Sequence, residues 1–241
     1  MVQLLGFQIT RAKDEKDSKG SQAFTVPSPD DGTTTISAGG YFGQYLDMDV
    51  TAKNETDLIR RYREIAQHPE CDMAVEDIIN EGIVANQTDS AVQIDLDTIP
   101  YPDKIKRKIR SEFDEVLRLL EFGIKGHDIF RRWYIDGRVY FHKVIDTKNP
   151  RKGITELRWI DAAKIKKVRE VQKEPDQKSG VQLIKKIDEY FIYNDKGIQS
   201  AGLGGTGINQ GIKIALDSIT YVPSGITDGN SGRVLSYLQK A

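Results

Sequence analysis

From Asn54 onward, apolar residues recur at helical spacing. Leu58, Ile59, Tyr62, Ile65 and Ala66 fall on one face, and Asn54 is placed to cap the first turn. His68-Pro69 predicts the end of that helix, because a proline ring drives the preceding residue out of the α region. Val75, Ile78, Ile79 and Ile83 mark a second helix, and the alternation of Val92, Ile94 and Leu96 within Ala91–Leu96 predicts a strand. After Pro100 and Pro102 comes the longest helical pattern. Its expected core face is Ile105, Ile109, Phe113, Val116, Leu117 and Leu120, with Gly123 as the stop. Residues 124–136 fit a further helix, ended near Gly137.

The second half changes period. Arg138–Ile145, Ile154–Ile160, Lys164–Gln172 and Val181–Tyr193 read as strands, separated at Lys148–Gly153 and Glu174–Gly180 by Pro, Gly and Lys of the kind found in turns. Asn194–Gly197 is another turn, and a Gly-rich stretch over 202–211 leads into short strands at Ile212–Leu216 and Ile219–Val222. Helices first and a mostly antiparallel sheet later make an α+β fold. Residues 10–40, with a mixed-charge run followed by Gly, Ser, Thr, Pro and Asp, have little to bury and are expected to be disordered. Leu4, Leu5, Phe7 and Ile9 make residues 1–9 either a frayed terminus or a short docking segment. Val234, Leu235 and Leu238 begin a helical stripe that reaches Ala241 with no closing turn, so the expectation is a fragment of a longer chain.

Composition narrows the class. The 241 residues suffice for a buried core, and 38% hydrophobic content excludes wholly disordered and fibrous chains. No apolar run has the length of a membrane span or the layout of a signal peptide. The lone Cys71 excludes an internal disulfide framework and fits a reducing compartment. The formal net charge of −1 conceals a polarised chain: residues 1–102 carry 8 basic and 18 acidic side chains, residues 103–170 carry 19 and 11, and residues 171–241 carry 8 and 7. Such asymmetry points to charged interaction surfaces.

The chemistry-bearing motifs are few. Gly202-Leu-Gly-Gly-Thr-Gly207 spells a dinucleotide fingerprint, but Ile212–Leu216 after it reads as a strand where a helix is required, so a flexible hairpin loop is the better reading. His68, His127 and His142 stand in no metal-ligand spacing, and the carboxylate pairs lie in no apolar frame that would raise a pKa. The sequence therefore shows no active site, metal or cofactor. Basic residues are another matter. Lys104, Lys106, Arg107, Lys108 and Arg110 crowd the first turns of the long helix, where a solvated face is the default. Arg131 and Arg132 follow, and then Lys164, Lys166, Lys167 and Arg169. With Trp133, Tyr134, Tyr140, Phe141 and Trp159 among them, the segment 103–170 suits either a nucleic-acid-binding accessory protein or a contact with a neighbouring subunit's acidic helices at 55–97.

As a string, Phe130-Arg-Arg-Trp-Tyr-Ile-Asp-Gly-Arg-Val-Tyr-Phe-His-Lys-Val-Ile-Asp146 resembles the portal vertex proteins of T-even-like, contractile-tailed bacteriophages. Gly153–Asp161, Lys167–Glu170, Glu189–Tyr193 and Tyr221–Asp228 extend the resemblance, which runs in order over about residues 55–241. It implies a structural subunit of a dodecameric ring at one capsid vertex. Such a ring nucleates head assembly, receives the terminase motor, joins the major capsid and neck or tail proteins, and passes double-stranded DNA inward at packaging and outward at infection. The implied place is the virion, with assembly in the bacterial cytoplasm. The implied division is a disordered segment 1–40, a wing-like domain 41–230, and the start of a truncated stem helix at 231–241. Arg131, Arg132, Lys164, Lys166, Lys167 and Arg169 are the candidate residues for a subunit interface or for proximity to DNA.

Overall fold

Helices form where the 3.6-residue period runs and strands where it falls to two. The computed structural model describes residues 2–4, 7–9, 25, 31–38, 55–83, 91–175, 182–195, 197–198, 211–229 and 231–240. Its helices are α1 (residues 55–65), α2 (Pro69–Gly82), α3 (Asp103–Leu119) and α4 (Phe122–Asp136). His68 is extended (φ −68°, ψ 132°) with Pro69 in the first helical position, so one proline both closes α1 and opens α2. Asn54 lies outside the described residues. The stop between α3 and α4 is Glu121, in the left-handed region at φ 50°, while Gly123 sits inside the first turn of α4.

The strands are β1 (Val2–Leu4), β2 (Phe7–Ile9), β3 (Thr34–Ala38), β4 (Arg138–Ile145), β5 (Ile154–Ile160), β6 (Ile165–Pro175), β7 (Gln182–Tyr193), β8 (Ile212–Ile214) and β9 (Ile219–Pro223). They make an antiparallel β1–β2 pair, a four-stranded sheet in the order β3-β6-β7-β8 and a three-stranded sheet in the order β5-β4-β9. Every pairing is antiparallel except β3 on β6, where Thr34 lies opposite Val168 and Ile36 opposite Glu170. The fold is α+β with antiparallel-rich sheets, as the change of period predicts.

Alternation splits each strand between two environments. Tyr140 of β4 and Ile219 of β9 point inward to meet Ile165 of β6, Phe191 of β7 and Ile59 of α1, and together they form the core between the two sheets. Tyr62 and Ala66, one turn further along α1, join Val75 and Ile79 of α2, Ile135 of α4 and Leu238 in a helical core. Thus α1 feeds both cores from one face.

Four expectations are corrected by this arrangement. Residues 34–38 lie inside the segment expected to be disordered yet form β3. Thr34, Thr35 and Ile36 are β-branched, and their partner stands far along the chain, where local composition cannot reveal it. Ala91–Leu96 alternates without joining any sheet; Leu96 is buried, but a strand also needs a ladder partner, and none pairs with it among the described residues. The apolar face of α3 is not core: none of its residues is buried, and Ile105 and Val116 are each 45% exposed. Val234, Leu235 and Leu238 are buried, but Val234 bridges Thr227 and residues Tyr237–Lys240 form a 3₁₀ turn in place of an α-helical one. Of the Gly-rich stretch, residues 202–210 fall outside the described residues.

The two layers are joined at Asp136-Gly137-Arg138, where α4 becomes β4. Arg63 of α1 donates from Nε and Nη2 to the two oxygens of Asp136 (2.9 and 2.7 Å), and Nη2 also reaches Asp161 Oδ1 at the end of β5 (2.6 Å). Gly137 turns the chain at φ 71° and accepts at its carbonyl from Ser224 N–H (2.7 Å). Arg138 Nη2 donates to the Val234 carbonyl at 2.6 Å, and Ser224 Oγ donates to the Leu235 carbonyl at 2.6 Å. A Cβ on Gly137 would stand 2.6 Å from the Leu235 carbonyl oxygen. Gly137→Ala adds that backbone collision to the cost of a left-handed alanine, so it is expected to destabilise by about 2 kcal/mol or more. Calorimetry should show the melting temperature falling by roughly 5 °C or more. An unchanged melting temperature would mean that the corner is not held as described.

Candidate assembly surfaces

Adjacent positions on α4 point about 100° apart, and Arg131 and Arg132 meet different partners as a result. Arg131 reaches across to α2, with Nη2 2.5 Å from Asp72 Oδ1 and Nη1 2.5 Å from Glu76 Oε1; His127 Nε2 lies 3.2 Å from the other Glu76 oxygen. Arg132 stacks its guanidinium over the Trp159 ring at 4.1 Å. On the first strand of the sheet's antiparallel part, β6, Lys167 pairs with Asp31 (2.5 Å) and Glu189 (3.2 Å), and Arg169 Nε donates to Glu189 Oε1 at 2.6 Å. Lys164, just before β6, lies 3.2 Å from Asp195 Oδ1. Lys166 points inward and is buried. The six candidate basic residues therefore lie in two separate places, α4 and the start of β6 with the turn before it, and each has a partner within its own chain.

Lys166 belongs to a buried cluster that sequence reasoning does not find. Its Nζ is 3.2 Å from Glu55 Oε2, and Arg138 Nη1 is 3.8 Å from the same oxygen, with all three side chains under 10% exposed. Two cations thus share one carboxylate, and among the described residues Glu55 Oε1, Arg138 Nε and Lys166 Nζ meet no partner in hydrogen-bond geometry. Burial lowers the Lys166 ammonium from its ordinary value, partly offset by Glu55. Tyr140, beside Arg138, is pushed up to about 12, chiefly by burial. The sequence signal was slight: Glu55 opens the first helical pattern, and Lys166 is one inward position in an otherwise basic run.

On the other flank of α4 the chemistry is apolar. A groove of about 480 Å³ runs between α3, α4 and the outer face of the three-stranded sheet. Val116, Leu120, Phe122, Trp133, Phe141 and Leu157 line it. Lys104, Lys106, Arg107 and Lys108, in the first turns of α3, pair with no acid among the described residues, and Arg110 comes only within 4.0 Å of Asp97. Opposite in charge is α2, whose Glu70, Asp72, Glu76, Asp77 and Glu81 are accompanied by no basic residue. Among the described residues no His, Cys, Asp and Glu side chains converge as a metal-binding group, and no helix is long and apolar enough to cross a membrane. Cys71 is half-buried and free.

The electrostatics make two predictions. Glu55→Gln leaves two buried cations without their counter-charge and is expected to cost about 3 kcal/mol or more, whereas Lys166→Met keeps one cation per carboxylate and should stay within about 1 kcal/mol of the parent. Urea denaturation of both variants measures the contrast; equal losses would contradict the shared-carboxylate arrangement. The second concerns acid. Burial raises the carboxyls of Asp31, Asp161 and Glu189. Hydrogen bonds outweigh it: Lys167 and Thr33 on Asp31, Arg63 and the Ala163 N–H on Asp161, Arg169 and Lys167 on Glu189 all hold the folded values below ordinary. Their stabilisation is complete above the unfolded carboxylate pKa of about 4 and is lost as pH falls through the lowered folded values. Asp136, raised chiefly by burial, has the opposite sign. In Lys167→Met, two of the three depressed carboxyls lose a cation, so the denaturation midpoint should fall less steeply between about pH 5 and 2 than in the parent. A slope equal to the parent's would refute the Lys167 assignment.

Comparison with known proteins places this geometry. The family model for the bacteriophage T4-like portal protein (Gp20) matches residues 55–241. A portal protein of Vibrio phage KVP40 (isolate Vibrio parahaemolyticus/Japan/Matsuzaki/1991) is 35% identical over 189 residues, covering 77% of this chain and 36% of that relative. A portal protein of Salmonella phage ViI is 24% identical over 226 residues, covering 90% of this chain and 40% of the relative. The chain thus spans well under half the length of either. The matched region starts at the first described residue of α1 and contains Arg63, the Asp136–Arg138 corner and both flanks of α4. On these grounds the chain belongs to the T4-like portal protein family.

Proposed function

We propose that this chain is the wing-like part of a portal subunit, one member of a closed ring at a capsid vertex. Double-stranded DNA passes through that ring during packaging and ejection. Head assembly starts on it, and the terminase motor, the major capsid protein and the neck or tail proteins dock to it. The role is structural and not catalytic. The observation that carries the reading is the family match over residues 55–241, which coincides with the folded body from α1 to the turn at Tyr237–Lys240. Physical reasoning supports it. A closed ring repeats one heterologous contact, so each subunit needs two different surfaces that fit each other. Here an acidic helix and a helix with a basic, apolar face stand on different flanks of α4. A duplex that must slide is served by phosphate contacts that weaken with salt, and not by base readout.

The test uses the whole portal chain that contains this segment. Mass photometry and negative-stain electron microscopy are expected to give dodecameric rings with a central channel. A chain that stays monomeric at every concentration, while binding duplex DNA in a salt-dependent manner, would overturn this reading in favour of a nucleic-acid-binding accessory protein.

A further inference from the structure

Helix α4 has two occupied flanks. His127 and Arg131 meet α2, whereas Phe122, Ile129 and Trp133, roughly opposite on the helical wheel, face the groove beneath α3. Both α2 and α3 pack on α4. The helices therefore form a layer with α4 in the middle and α2 and α3 as its two edges.

Each edge is unfinished. Along α2, Val75 and Ile79 point inward, which turns Glu70, Ala74, Asp77 and Glu81 outward as one row. Met73, 69% exposed, and Ile78, 41% exposed, stand on either side of that row. Asp72 and Glu76 are engaged by Arg131, but Glu70, Asp77 and Glu81 pair with no cation among the described residues. Along α3, Ile105, Ile109, Phe113 and Val116 make an apolar stripe that continues into the groove at Val116, with Ile105 and Val116 each 45% exposed and Ile109 and Phe113 partly buried. Lys104 and Lys108 flank this stripe on one side and Lys106 on the other, while Arg107 points away from it.

We propose that the α2 edge of one copy packs on the α3 edge of the next, with Met73 on the Ile105–Val116 stripe and Asp77 and Glu81 against Lys104 and Lys108. The assignment rests on the ring reading above and gives that ring a specific contact. Three features of the two edges favour it. The charges are opposite and unspent on both sides. The spacing matches, since each charged pair is four residues apart and so about 6 Å along its helix. The edges also differ from one another and lie on separate flanks of α4, as a heterologous contact that continues round a ring requires. The apolar stripe decides against DNA as the occupant of α3, because a phosphate backbone satisfies lysines but leaves the exposed parts of Ile105 and Val116 in water.

The experiment is a charge swap in the whole portal chain. Lys104→Glu with Lys108→Glu should weaken assembly by about 100-fold or more, and Asp77→Lys with Glu81→Lys should do the same, because each sets like charges face to face. Mixing the two double variants is expected to restore heterotypic contacts and yield alternating rings, and Arg107→Glu should assemble like the parent. All these side chains are exposed and the replacements are good helix formers, so folding is not at stake. Circular dichroism of each variant verifies that. If the parent forms rings and the swaps assemble equally well, the α2–α3 contact is wrong while the ring stands. If the swaps assemble but the particles lose DNA retention, α3 faces DNA and the proposal is overturned. A parent chain that never forms rings removes the ring reading, and this contact with it.

Discussion

One arginine holds the helices to the sheets. Arg63 reaches from α1 to Asp136, where α4 ends, and to Asp161, where β5 ends, so three elements from distant parts of the chain are fixed by a single guanidinium. Its planar fork suits this task, since paired N–H donors set angles as well as distances. Asp136 is 3% exposed, and its burial is tolerable only because Arg63 is there. The neighbouring residues extend the constraint: Gly137 lets the Leu235 backbone come close, and Arg138 ties down Val234. The orientation of α4 relative to the sheets, and with it the groove and both helical edges, depends on Arg63, Asp136, Gly137, Arg138 and Asp161 together.

Charge is used in two ways on this chain. Arg131, Lys164, Lys166, Lys167 and Arg169 meet acids of their own chain, and Arg132 meets an aromatic face. These contacts settle internal geometry. Lys104, Lys106, Arg107 and Lys108 on α3 and Glu70, Asp77 and Glu81 on α2 are among the described residues that pair with no opposite charge. Part of the contrast between a strongly acidic N-terminal segment and a basic middle is thus reconciled within the chain, through pairs such as Arg131 with Asp72 and Glu76 and Lys166 with Glu55.

Much of the fold was legible. β4 and β5 occupy the segments that alternation marks out, and His68-Pro69 separates α1 from α2 as the proline rule requires. What local pattern could not supply was partnership. Thr34–Ala38 became a strand because β6 offered an edge, whereas no edge among the described residues receives Ala91–Leu96. The periodicity of α3 marks its apolar face but not that the face is core: periodicity says that a face needs covering without saying by what. For the basic residues the limit was the same: a lysine's spacing along the chain does not disclose the Asp31 or Glu55 that meets it in space. The Asp136-Gly137-Arg138 run was visible as a helix end, yet its role depends on Arg63 and Val234, each many tens of residues away.

The parallel strand β3 has a consequence for how the subunit is made. Thr34 pairs with Val168, and the Tyr221 hydroxyl donates to the Asp31 carbonyl 190 residues earlier in the chain. During translation β3 must wait until β6 and then β9 have left the ribosome, about ten seconds or more at ordinary elongation rates. Throughout that interval its backbone edge is unpaired and open to any strand nearby. A polysome crowded with copies of one nascent chain is where mispairing would begin, so this interval is the one in which the cell has most reason to supply a chaperone.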